Sequence, residues 1–206
     1  MAVVTISRQF GAGGLRVAPA VAAALRFRLV NREIMEEAAR RAGVHPDVAE
    51  HLDERVPDLV EEVGLALAAG SPELAGAPRV ADDRTFQEAV REVIVSLAAS
   101  GGYVILGRGG QAAIGDRPDA CHLQLVGDLD DRARRVAEWR GIPIEEALDL
   151  CRRTDAERAA YVRRLYDVEI SDPLLYDAVV NTARLGLDRA ITVACQVARA
   201  KLGRDP

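Results

Sequence analysis

The sequence predicts an α/β fold, a parallel sheet with helices on both faces, and three observations carry that expectation. Short strand-like runs alternate along the chain with longer segments of helical periodicity. One run, Tyr103 to Leu106, is apolar throughout, as a strand buried on both faces must be. The first run, Val3 to Ile6, passes directly into a glycine-rich turn and then a helix-compatible stretch. At 206 residues, 49% of them apolar, the chain suits one such domain, residues 1–206.

After the strand Val3 to Ile6, a helix is expected from Gly14 to Arg26, with Val17, Val21 and Leu25 on one face. Pro19 falls in its early turns and removes one backbone bond there. Phe27 to Val30 reads as a short second strand. Asn31 is placed to cap a helix through Arg41 that stops at Gly43. Pro46 to Ala69 reads as helical, with Leu59, Val60, Val63 and Leu67 as its apolar face, and residues 70–83 as a loop. Thr85-Phe86-Gln87-Glu88 is a capping box, so the next helix is expected to start there and run to Ser100. Its stripe is Phe86, Ala89, Val90, Val93, Ile94 and Leu97. Tyr103 to Leu106 then delivers Gly107-Arg108-Gly109-Gly110 at its carboxyl end. Cys121 to Val126 is a further strand, and Asp128 caps a helix carrying Arg132, Arg134 and Arg135. A long helix runs from Ile142-Pro143 to about Tyr166 and is broken by Ser171-Asp172-Pro173. Ala178 to Val180 and Leu187 to Leu202 are the last strand and helix.

The net charge of −5 argues against a nucleic-acid partner, which calls for a basic surface. No apolar run is long enough to span a membrane and no signal peptide is evident, so a cytoplasmic location is the default expectation. Cys121, Cys151 and Cys195 are odd in number, far apart and outside CxxC pairs, so they read as reduced thiols. His45, His51 and His122 lack metal-ligand spacing, and no metal-ligating residues are expected. Basic residues are almost all arginine, whose planar fork suits phosphate. The one lysine is Lys201.

Three clusters should gather at the carboxyl ends of the strands, where open parallel sheets bind ligands. The first is Ser7 to Gly14. Strand, glycine turn and helix in that order cradle an anion with backbone N–H groups and the positive end of the helix. The pattern G-x-x-x-x-G-K-[ST] wants a lysine and a hydroxyl after the glycines, and this chain carries Gly14, Leu15 and Arg16. A dinucleotide fingerprint fails on Arg16 and on Asn31. The second cluster places Arg108 between glycines at a strand end, able to reach an anion. The third is Arg152, Arg153, Asp155 and Arg158, with helical spacing that puts Asp155 on a face with Arg152 and with Arg158. Arginines held by a carboxylate suit a lid over phosphates. Taken singly, each cluster has a plain structural alternative: a tight turn, a solvated arginine, a salt-bridged helix. Asn181 reads chiefly as a cap for the element after it.

The segments Thr5 to Gly14, Val104 to Gly110, Arg152 to Tyr161 and Tyr176 to Ala190 together resemble the cytidylate kinase-like family, a branch of the P-loop nucleoside monophosphate kinases. The resemblance implies a P-loop NTPase-like five-stranded parallel sheet, a helical acceptor-binding insertion over residues 31–100 and an arginine-rich lid over about 150–172. It implies that Gly11, Ala12, Gly13, Gly14, Leu15 and Arg16 hold ATP phosphates. Arg108 then grips the acceptor monophosphate, and Arg152 or Arg153, Asp155 and Arg158 form the lid, with Asp155 steering Arg158. Arg8 and Arg16 are the candidates for the missing loop charge. The implied reaction is ATP- and Mg²⁺-dependent phosphoryl transfer to a nucleoside monophosphate, CMP or dCMP first, with Mg²⁺ carried by the nucleotide. A nucleotide-binding regulator without turnover and a kinase for another small acceptor are the alternatives. The apolar helix near Val60 to Leu67 packs either internally or in a homo-oligomer.

Overall fold

A computed structural model describes residues 2–30, 34, 37–38, 40–41 and 83–204. The chain divides into two compact units, Met1–Asn31 with Ile94–Pro206, and Arg32–Val93. The first unit is built on five parallel strands: β1 (Val3–Arg8), β2 (Arg28–Val30), β3 (Tyr103–Leu106), β4 (Ala120–Val126) and β5 (Ala178–Asn181). Their order is β2-β3-β1-β4-β5. β1 is central and registers with both neighbours, Val3 opposite Tyr103 and Ala120, Ile6 opposite Leu106 and Leu123. The chain leaves β1 toward one edge and returns through β3 to reach β4 on the other side. The strand order therefore reverses at β1, and a crevice opens at its carboxyl end.

The chain's helices include α1 (Gly14–Leu25), α2 (Asp83–Ser100), α3 (Gly110–Ile114), α4 (Leu129–Arg140), α5 (Ile144–Tyr166), α6 (Thr182–Leu185) and α7 (Leu187–Lys201). One sheet face is apolar. Val4, Ile6, Val104, Leu106, Leu123 and Leu125 pack with Val17, Val21 and Leu25 of α1 and with Ala190, Ala194 and Ala198 of α7. The alanines recur every four residues, so one smooth stripe of α7 approaches closely. Each buried valine or leucine on this face contributes about 1.5–3 kcal/mol.

The other face carries polar groups, unusual for a parallel strand, and they are satisfied. The His122 ring donates from Nε2 to the Gly115 carbonyl at 3.0 Å, so Nδ1 accepts from the Thr5 hydroxyl at 2.7 Å. Burial lowers the His122 pKa and favours this neutral ring. Gln124 Nε2 and the Tyr176 hydroxyl both donate to the Ile170 carbonyl, at 2.9 and 2.8 Å. They tie the chain after α5 to the sheet.

Several elements differ from the sequence expectations. β1 extends to Arg8. α1 runs unbroken through Pro19. Asp83 and Arg84 are already helical, so Thr85 lies inside α2 and does not cap it. α3, α6 and a 3₁₀ turn at Pro173–Leu175 are too short for periodicity to reveal. Asn181 caps α6, accepting from Ala183 N and Arg184 N at 3.1 Å each. Asp128 caps α4 as expected, accepting from Asp130 N. In the second unit, residues 34, 37, 38, 40 and 41 are helical, within the span expected from Asn31 to Arg41. The expected helix Pro46 to Ala69, the loop 70–83 apart from Asp83, and His45 and His51 lie outside the described residues. All three cysteines are free thiols. No helix among the described residues is long and apolar enough to cross a membrane.

Candidate functional site

The loop after β1 turns into α1 at Gly13, which caps the helix with φ +84 and no side-chain acceptor. That left-handed backbone favours glycine, and a Cβ there would also press on Leu187 Cδ2 at 2.3 Å. The first N–H groups of α1 have no partner within their own helix. No acidic residue lies in its first turn. These donors and the positive helix end face whatever sits in the loop, which suits an anion.

The loop is braced from outside. Gln9 N donates to Leu125 O at 3.0 Å, and the Gln9 side chain accepts from Gly127 N at 2.9 Å. Phe10 N donates to Asp155 Oδ1 at 2.7 Å, and Arg132 Nη1 donates to Asp155 Oδ2 at 2.7 Å. The same Arg132 nitrogen reaches Phe10 O at 2.8 Å, while its Nε reaches Gly127 O at 2.9 Å. Arg132 is 5% exposed. Arg135 Nη1 donates to Gly11 O at 3.2 Å and to Thr182 Oγ1 at 3.1 Å. A small second core of Ala133, Val136, Ala147 and Cys151 joins α4 to α5, with Phe10 packed against it.

Beside the loop, at the carboxyl ends of β1 and β3, lies a pocket lined by Ser7, Arg8, Arg108, Arg158 and Tyr161, among others. Gly107, Arg108 and Gly109 all adopt left-handed backbone, at φ +83, +59 and +65. That conformation is costly for arginine and turns Arg108 at the end of β3. Arg158 Nη1 donates to Arg8 O at 3.1 Å. Its guanidinium also lies 5.5 Å from the centre of the Phe10 ring. Burial, then Arg158 and Arg108, push the Arg8 pKa down to about 9. Burial lowers that of Arg108 most, against the pull of Tyr161 and with a further push from Arg158. The pocket therefore disfavours its own positive charge, and a bound anion relieves that cost.

The expected residues separate on this frame. Arg8, Arg108 and Arg158 converge in the pocket, and Gly11 to Gly13 form the turn that leads into α1 at Gly14. Arg16 turns outward, 63% exposed and 3.4 Å from Asp188. Leu15 is 64% exposed. Arg152 and Arg153 are exposed, and Arg152 pairs with Asp149 at 3.1 Å instead of with Asp155. Asp155 directs its two oxygens to the loop N–H and to Arg132, so it braces the loop where it was expected to steer Arg158. The segment expected to be a lid, about residues 150–172, is the C-terminal part of the 23-residue helix α5 together with the chain that follows Tyr166. Sequence reasoning missed Arg132 and Arg135 as braces. The signal for Arg132 was an arginine one turn before Val136, on the inward stripe of α4.

Magnesium does not fit a protein-held site here. Leu15 stands at the hydroxyl position, both Asp155 oxygens are engaged, and no cluster of three or more His, Cys, Asp or Glu occurs among the described residues.

Comparison with known proteins agrees with this architecture. A cytidylate kinase from Ignicoccus hospitalis is 29% identical over 136 residues, 65% of this chain and 73% of that protein. A solved structure of an uncharacterized protein from Eubacterium ventriosum shares the fold at TM-score 0.70, with 19% identity, across 97% of this chain and 99% of that one. A shikimate kinase from Bacteroides thetaiotaomicron shares it at TM-score 0.52, with 16% identity, across 98% of each chain. The family model described as the cytidylate kinase-like family matches residues 3–184, from the start of β1 into α6. This span takes in the glycine loop after β1, the arginine pocket and α5, and it supports a phosphotransferase acting on a nucleotide or another small molecule; the chain belongs to the cytidylate kinase-like family.

Proposed function

We propose that the protein transfers the γ-phosphoryl group of ATP to a nucleoside monophosphate, with CMP or dCMP as the first acceptor. The observation that carries this reading is the convergence of Arg8, Arg108 and Arg158 beside the open N-terminus of α1. On this reading one phosphate group lies at the helix end and a second beside the pocket arginines, with the transferring group passing between them.

Catalysis is positioning and charge stabilisation without a covalent intermediate. The N–H groups of Gly13, Gly14 and Leu15 hold the donor phosphates. Arg108 holds the acceptor phosphate, one oxygen of which attacks the γ-phosphorus in line. The bond from that phosphorus to the bridging oxygen breaks, and ADP leaves with the electron pair. Arg158 covers the charge that develops on the moving group. Arg152 and Arg153 face solvent, so Arg152→Ala and Arg153→Ala should each leave kcat/KM within about threefold of wild type in a steady-state assay.

The second reading is nucleotide binding without turnover, and Gly14 and Leu15 favour it. ADP release from Mg·ATP across a panel of nucleoside monophosphates separates the two. Stimulation by CMP or dCMP supports the proposal, and stimulation by another monophosphate keeps the mechanism and changes the acceptor. No stimulation, with ATP still raising Tm, supports the binder. At a hundredfold excess over Kd, ATP should add about 2.7 kcal/mol of stability, or about 5–10 °C in Tm.

A further inference from the structure

Counted back from Gly13, the pattern G-x-x-x-x-G-K-[ST] puts its first glycine at position 8, its lysine at 14 and its hydroxyl at 15. The chain has Arg8, Gly14 and Leu15 there. A glycine and a cation have changed places. The structure shows why the two changes belong together. A Cβ on Gly14 would lie 3.0 Å from Arg8 Cγ and 3.5 Å from its Cδ, so the Arg8 stem crosses the ground a lysine stem would start from. A Cβ on Gly107 would lie 2.1 Å from Arg8 Nη1, so the head of Arg8 rests against bare backbone at the end of β3. The charges of Arg158 and Arg108 press on that head.

We propose that Arg8 is the phosphate-loop cation of this protein, relocated to the first position of the loop, and that Gly14 lacks a side chain so that its stem can pass. Its ligand is the terminal phosphates of a nucleoside triphosphate. The assignment of a nucleotide donor rests on the kinase reading; the grip on polyphosphate does not. A guanidinium spans two oxygens where an ammonium meets one. Reaching past Gly14 into the pocket, Arg8 touches the donor loop with its stem and presents its charge between donor and acceptor. Arg16 lacks this placement, being exposed and turned toward Asp188.

The test is equilibrium binding of ATP and of inorganic tripolyphosphate to the full chain, by calorimetry. The variants are Arg8→Ala, Arg8→Met, Gly14→Lys and the double variant Arg8→Gly/Gly14→Lys. Arg8→Ala and Arg8→Met should each weaken both ligands about 10–100-fold, the range for losing a charged hydrogen bond. Arg8→Met keeps most of the stem, so its loss cannot come from packing alone. Gly14→Lys should bind poorly because the new stem collides with Arg8. The double variant, which returns the cation to position 14, should recover most of the lost affinity. Wild-type binding by Arg8→Met, or a double variant no better than Gly14→Lys, overturns the relocation. Tripolyphosphate binding that depends on Arg8, without acceptor-stimulated ADP release, overturns the kinase reading and leaves this assignment standing. Failure of the wild type to bind either ligand overturns both.

Discussion

Arg158→Ala should lower kcat about 10²–10³-fold while leaving the ATP Kd within about threefold. The reason is where Arg158 sits. Its Nη1 donates to Arg8 O at 3.1 Å, and its head leans on the Phe10 ring. It shares the pocket with Arg8 and Arg108 but hangs from α5, above the sheet ends that carry those two. Under the proposed transfer, a charge in that place would stabilise the moving phosphoryl group more than a resting donor. Separate measurement of kcat and of ATP Kd decides the matter. Equal losses in both would show that Arg158 grips the donor and has no special role in the transfer step.

Asp155→Ala should destabilise the fold by about 3 kcal/mol, which for a chain of this size lowers Tm by about 6–12 °C. Two groups lose their partner at once. Arg132, 5% exposed, keeps its charge without its carboxylate, and Phe10 N loses its acceptor at 2.7 Å. The paired change Arg132→Met/Asp155→Leu should recover much of the loss, because apolar groups of similar volume often replace a buried ion pair without penalty. Urea melts of the single and double variants give the comparison. A single-variant loss below about 1 kcal/mol would mean that Asp155 acts as an ordinary surface carboxylate.

Local signals were the legible ones. The run from Val3 through Gly14 announced strand, cradle and helix, because each step follows from spacing and glycine alone. Gly107 to Gly110 announced a turn that presents Arg108. The cap at Asp128 and the stop near Tyr166 were equally local. Pairings at long range were not legible. Asp155 meets a backbone N–H 145 residues away, and nothing in its helix spacing distinguishes that partner from Arg152 or Arg158. Arg8 likewise looked equivalent to Arg16 as a source of charge. Only the packing of its stem against Gly14 and of its head against Gly107 separates the inward arginine from the outward one. The central position of β1 follows from sheet pairing, which a linear pattern of alternating elements does not order.

Lys201, the one lysine, pairs with Asp177 at 2.7 Å, just before β5 begins and so at the opposite end of the sheet from the arginine pocket. If the loop after β1 binds nucleotide as proposed, reagents that mark nucleotide-binding proteins by acylating a loop amine meet no amine there. A survey of a cell lysate with such labels would pass over this protein even when its loop was full. Dicarbonyl reagents, which condense with guanidinium groups, are the chemistry that would find it.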